Sequence, residues 1–257
     1  MIHKKLAEGI GTITLNYDAK LNIFGAHMVD QIGDALAEFQ REGARAIILR
    51  ANKGVRVWSA GHNVEELPKP GQDPLQWADP LRKLVRDIQS VSAPVIALLE
   101  GSVWGGACEV VFACDLIVAA STVTLVATPA RLGVPYNATG LMTYLNAAPL
   151  RVAKEMLFTA RPIGAERLER LGMINHMVPA EDIETFCAEL AADIARNAPL
   201  AVGVMKEQLT ILSAAQAMSP YEFERMQGLR RVVYSSNDYA EGIQALMEKR
   251  SPVFCGD

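Results

Sequence analysis

Two stretches share a design that suits chemistry at a carbonyl oxygen: residues 59–67, SAGHNVEEL, and residues 101–115, GSVWGGACEVVFACD. Each passes through small residues into what reads as the start of a helix. The first N–H groups of a helix have no partner within it and lie at the positive end of its dipole. Gly105 and Gly106 leave such donors unshielded, a setting that suits an oxygen acquiring negative charge. Paired glycines alone more often serve close helix packing. Two such turns converging change that balance, because the N–H groups of His62 and Gly106 would then share one target. Each preorganised donor in a dry site is worth about 3–4 kcal/mol.

The elements that must position these turns follow from patterning. Segments 4–7 and 11–17 flank Glu8-Gly9 and predict a hairpin. Met28, Ile32, Leu36 and Phe39 recur at helical spacing. Segments 46–49 and 94–99 read as buried strands, each leading to one of the two turns, and 115–119 and 123–126 as two more. Asn63 is placed to cap a short helix with Glu65 and Glu66 in its first turn. Four prolines and a glycine in 68–80 predict a loop able to act as a mobile lid. The irregular run 127–136, ATPARLGVPY, is expected to line something. Apart from a strand at 174–178, the chain beyond Thr139 is helical, which predicts an α/β core with a helical tail.

With 257 residues, half of them apolar, the chain can bury a large core. A net charge of −4 exerts no pull toward nucleic acid or an anionic membrane. No segment has the uncharged length of a membrane span, and no apolar signal core follows the first ten residues. Cys108, Cys114, Cys187 and Cys255 are scattered, without metal or redox spacing, which predicts a reducing cytoplasm.

SAGHNVEEL, EGSVWGGACEVVFACDLIVAA and ATPARLGVPY, in that order and spacing, resemble the crotonase (enoyl-CoA hydratase/isomerase) superfamily, and the resemblance runs to the closing EKRSPVF. It implies a crotonase-like spiral of ββα turns over 1–198 and a helical C-terminal trimerisation region over 199–257. It also implies an acyl-CoA thioester as substrate, in a homotrimer or dimer of trimers, with His62 and Gly106 donating to the thioester oxygen. Hydratases of the superfamily use two glutamates. Glu109 matches the first, but the second position is Ala130, which transfers no proton.

WGGA, AGH and VPY instead resemble the decarboxylating members, as do DPLQWADPLR and YEFERMQGLRRVVY. The activity implied is cofactor-independent loss of CO2 from methylmalonyl-CoA or malonyl-CoA, with the thioester carbonyl as electron sink and no metal. Tyr136 would orient the carboxylate, or else simply anchor its loop. Glu109 is either catalytic or a paired structural carboxylate. Ala60, Gly61, His62, Asn63, Val64, Gly106 and Thr128 are the expected substrate contacts, with Lys20, Lys249 and Arg250 as candidates for the CoA phosphates. Trp104 is expected in the core. A hydratase using Glu109, or a non-catalytic acyl-CoA-binding subunit, are the alternatives.

Overall fold

The computed structural model describes residues 1–215 and 217–257. The strands are β1 (Ile2–Ala7), β2 (Ile10–Leu15), β3 (Ala46–Ala51), β4 (Val57–Ser59), β5 (Val95–Leu99), β6 (Ser102–Trp104), β7 (Leu116–Ala120), β8 (Thr124–Val126), β9 (Ile163–Gly164) and β10 (His176–Val178). The helices are α1 (Ala26–Arg41), α2 (Pro80–Ser90), α3 (Ala107–Ala113), α4 (Ala138–Ala147), α5 (Leu150–Thr159), α6 (Ala165–Arg170), α7 (Ile183–Arg196), α8 (Pro199–Ser213), α9 (Pro220–Tyr234) and α10 (Asn237–Met247).

The expected hairpin forms, with Glu8 and Gly9 both at positive φ in its turn. From β3 onward the chain repeats one unit: a strand in a large sheet, a strand in a small sheet, then a helix. The large sheet has the order β1-β2-β3-β5-β7-β10, and the small one β4-β6-β8-β9. β3, β5 and β7 pair in parallel, as do β4, β6 and β8. This is the predicted ββα spiral.

The large sheet is covered on both faces, so its central strands read as continuous apolar runs; all five residues of β5 are buried. On α1, Met28, Val29, Ile32, Ala35, Leu36 and Phe39 form the buried face. Parallel pairing in the small sheet sets the C-terminal ends of β4, β6 and β8 side by side. Residues 60–62, 105–106 and 127–128 therefore emerge together, at the edge where α/β sheets carry their sites.

Three expectations need correction. The stretch read as a small-residue turn contains β6, too short to show a period in sequence. Trp104 is 43% exposed rather than in the core, because it ends that strand at the rim of a cavity. The loop 68–80 is strapped down rather than free. Gly71 donates its N–H to Tyr234 O (2.6 Å), Pro68 O accepts from the Tyr239 hydroxyl (3.0 Å), and Asp73 pairs with Arg230. Asn137 Nδ2 donates to Leu75 O at 3.1 Å. The helical tail thus closes over the core, and buried Lys206 of α8 pins it by donating to Ile88 O and Ala93 O beside Asp115.

Candidate active site

Residues 61–63 run beside Phe24 as a short parallel bridge. Phe24 N–H donates to Gly61 O (2.7 Å) and Asn63 N–H donates to Phe24 O (3.1 Å). Strand alternation then turns the His62 N–H to the opposite side, toward the second turn. There Gly105, at φ +58, donates to Val126 O (2.8 Å) and hands the chain to Gly106, which precedes α3. A β-carbon placed on Gly106 would stand 3.5 Å from the His62 nitrogen, and one on Gly61 would stand 2.7 Å from the Gly106 nitrogen. Neither amide donates to an acceptor among the described residues. The two turns converge as the sequence argument requires.

Both amides open onto a cavity of about 470 Å3. Its wall is mainly apolar, with Leu21, Ile23, Leu75, Leu81, Leu132, Val134 and Leu246 among the lining residues. The polar side chains are few: His62, Thr128, Arg131, Tyr136 and Arg250. No carboxylate lines it among the described residues. The segment 127–136 does line the site, through a 3-10 turn (Pro129–Leu132) against which α10 packs so closely that a β-carbon on Gly242 would meet Leu132 O at 2.3 Å. The chain's own last helix therefore forms one wall.

The His62 imidazole is 10% exposed and held at both nitrogens. Nδ1 lies 2.9 Å from Asn63 O, and Nε2 lies 2.6 Å from the Asp79 carboxylate. Both partners are acceptors, an arrangement that an imidazolium satisfies at both nitrogens. Burial works against that charge, but the hydrogen bond to Asp79 and its charge outweigh it and raise the His62 pKa. Asp79 is also the N-cap of α2, accepting from the Leu81 and Arg82 amides at 2.9 and 3.3 Å. One carboxylate thus ties the first oxyanion turn to a helix start. Sequence reasoning missed this residue; the Asp-Pro helix-start signature marks the cap but not its histidine partner.

Tyr136 lines the cavity with its hydroxyl 3.1 Å from the Tyr144 hydroxyl, and the two rings meet edge to face. Burial, and then the neighbouring Glu109, push its pKa well above the ordinary phenol value, so it remains a neutral donor. Glu109 lies behind it, fully buried. Its Oε1 accepts from Arg82 Nη1 (3.0 Å), while Oε2 has no partner and packs near Gly140 and the Tyr136 ring. Burial outweighs the Arg82 charge and pushes its pKa up to about 7. Glu109 is paired with Arg82 and is not among the residues that line the cavity.

Ala60, Val64, Thr128 and Gly106 line the cavity as expected. Gly61 sits behind the turn, and Asn63 turns away to bond the Glu65 amide and Glu66, so neither contributes to the lining. Lys20 and Lys249 are exposed and do not line it; at the C-terminal end that position belongs to Arg250, which is already paired with Glu241 and Glu248.

Comparison with known proteins places this geometry in a lineage. A model of the family described as enoyl-CoA hydratase/isomerase matches residues 5–257. The chain is 47% identical over 247 residues to methylmalonyl-CoA decarboxylase of Escherichia coli (strain K12), covering 96% of this chain and 95% of that one. A solved methylmalonyl-CoA decarboxylase in complex with 2-nitronate-propionyl-CoA superposes with a TM-score of 0.98 at 45% identity, over 100% of this chain and 98% of the other. An enoyl-CoA hydratase from Mycobacterium avium subsp. paratuberculosis, at 19% identity, shares the fold with a TM-score of 0.79 over 99% and 98% of the two chains. Twin amides at one cavity, carried on a ββα spiral, are what that ancestry leads one to expect: the chain belongs to the enoyl-CoA hydratase/isomerase (crotonase) family.

Proposed function

We propose that this chain decarboxylates methylmalonyl-CoA to propionyl-CoA without a cofactor. The observation that carries the reading is a pair of unpartnered amides, His62 and Gly106, facing a cavity whose described lining has no carboxylate. Breaking the C–CO2 bond leaves an electron pair that the thioester carbonyl accepts, giving an enolate oxygen for the two amides to hold. A proton taken up from water at the α-carbon then collapses the enolate to propionyl-CoA. Water addition as the hydratases perform it would need a pair of glutamates, and no carboxylate lines the wall among the described residues. The 47% identity to the E. coli decarboxylase supports the same substrate.

In this reading Tyr136 donates to the departing carboxylate and fixes the C–CO2 bond perpendicular to the thioester plane. With Tyr144 as the donor of the hydroxyl pair, the Tyr136 proton is free for that purpose. The surrounding leucines and valines solvate CO2 better than they solvate a carboxylate, which favours its loss. Incubation of purified protein with methylmalonyl-CoA in the presence of a chelator is expected to release CO2 and yield propionyl-CoA by mass. Hydration of crotonyl-CoA without CO2 release would move the assignment to a hydratase, and binding without turnover would make it an acyl-CoA-binding subunit.

Tyr136→Phe removes one hydrogen bond to a charged group, worth about 1.5–3 kcal/mol, so kcat is expected to fall about ten- to hundredfold while KM changes little. Equal weakening of KM with kcat unchanged would reduce Tyr136 to a packing residue.

The same reading extends to assembly. Leu200, Leu209, Leu212, Leu229 and Val232 on α8 and α9 are each more than half exposed, apolar surface that supports a homotrimer or a dimer of trimers. Sedimentation is expected to give three or six times the 27.9 kDa subunit; a monomer at micromolar concentration would exclude it.

A further inference from the structure

A second cavity, of about 170 Å3, lies between α2, α4 and α8, on the far side of Glu109 from the substrate pocket. Two arginines one helical turn apart, Arg82 and Arg86, line it, and no carboxylate does among the described residues. Arg82 is 5% exposed and spends one nitrogen on Glu109. Arg86 lies 3.9 Å over the ring of Trp77, and its Nη1 is buried without any hydrogen-bond partner. A buried, unpartnered guanidinium N–H beside a second guanidinium costs free energy on two counts, desolvation and like-charge repulsion.

The other polar groups of the cavity do not relieve it. The hydroxyls of Thr143, Thr210 and Ser213 donate to the carbonyls of Thr139, Lys206 and Thr210, and none of them lies where it accepts from Arg86 Nη1. The two guanidinium groups, one of them with an unpartnered nitrogen, call for an acceptor of negative charge, and the Gln89 amide beside them can add a neutral donor. Guanidinium geometry matches the planar or tetrahedral oxygens of a small oxyanion, and the volume admits one.

We propose that this cavity is an oxyanion site that takes phosphate or a small carboxylate between Arg82 and Arg86. Its occupant touches the substrate pocket only indirectly, through the Arg82 guanidinium that also holds Glu109. Burial, and then the charge of Arg82, lower the Arg86 pKa from its usual value, and an anion in the cavity would reverse that tendency.

The stacking of Trp77 on Arg86 supplies the readout. Inorganic phosphate titrated at constant ionic strength is expected to give a saturable change in tryptophan emission. Trp77→Phe should abolish the signal, and isothermal titration of that variant should still detect binding. Arg86→Gln should weaken binding at least tenfold, and Arg86→Lys, which keeps the charge but loses the fork, by a smaller factor. Turnover in phosphate-free buffer should be unchanged in both. A response that never saturates, that chloride reproduces, or that persists in Arg86→Gln with its wild-type midpoint would overturn the assignment. If phosphate fails and malonate binds with the same Arg86 dependence, the site selects carboxylates and stands.

Discussion

Gly61→Ala is expected to leave a folded protein with at most about a hundredth of the wild-type kcat. The new methyl group would stand 2.6 Å from Trp104 O, 2.7 Å from Gly106 N and 3.1 Å from Ala107 N. All three are backbone atoms of the opposing oxyanion turn, so no side chain can rotate out of the way. Gly61 also has φ +89, a region that an L residue with a β-carbon adopts only under strain. Relief must come from separating the two turns, and that moves both donors off a common oxygen. Removing one oxyanion donor costs about 3–4 kcal/mol, or about 100- to 1,000-fold in kcat. Displacing the pair should cost no less.

Gly106→Ala makes the contrast. There φ is −62, and the added methyl meets the end of the Leu81 side chain at 2.7 Å, a group that can shift. Its kcat is expected to stay within about tenfold of wild type, on the scale of a small misplacement. Rates must be normalised to the folded fraction by circular dichroism. If Gly61→Ala loses only stability while folded molecules keep their kcat, the glycines serve packing and the twin-amide assignment fails.

How much of this was readable in the sequence depends on how local each signal is. The two oxyanion turns were legible because close backbone approach demands Gly61 and the positive φ of the second turn demands Gly105, requirements written into residue type. The spiral was legible where strands are long enough to be continuous apolar runs, as in β3 and β5. It was not legible in β6 and β9, whose few residues carry no period. Glu109 illustrates a different limit. Its buried place on an apolar helix was evident, but not whether it faced the cavity or Arg82, because that depends on a partner in another helix. Asp79 and Arg82 were missed for the same reason: each acts across a contact with a residue distant in the chain, and nothing in the local sequence names that residue. The loop 68–80 has the composition of a mobile segment, and only Tyr234, Tyr239 and Arg230, far downstream, hold it in place.

The Asp79–His62 pair carries the second large effect. Asp79→Ala removes the anion that balances a buried imidazolium and also deletes the N-cap of α2. Breaking a buried pair costs about 3–5 kcal/mol and losing a cap about 1 kcal/mol, so chemical denaturation should show a loss of several kcal/mol at pH 6. The His62 amide, no longer fixed through its ring, should lose alignment with Gly106, and kcat should fall with stability. Asp79→Asn separates the two roles. Asparagine caps as well as aspartate, and its amide can donate to the Nε2 of a neutral imidazole whose Nδ1–H still donates to Asn63 O. That variant should fold and turn over near pH 8.

What it should lose is the pH dependence carried by the pair. The folded His62 pKa is raised above its unfolded value of about 6.5, so the pair's contribution is complete below that pH and disappears as pH rises through the folded value. The groups facing the ring are Asp79 and, more weakly, Glu66, and only Asp79 is altered. Wild-type unfolding free energy should therefore decline above pH 6.5, and this part of the decline should vanish in Asp79→Asn. Glu109, pushed up to about 7, produces a separate decline as pH rises from about 4.5 toward 7, which Asp79→Asn leaves largely in place. An unchanged slope above pH 6.5 in Asp79→Asn would mean that His62 is neutral in the folded protein, and that its amide is positioned by the Phe24 bridge alone.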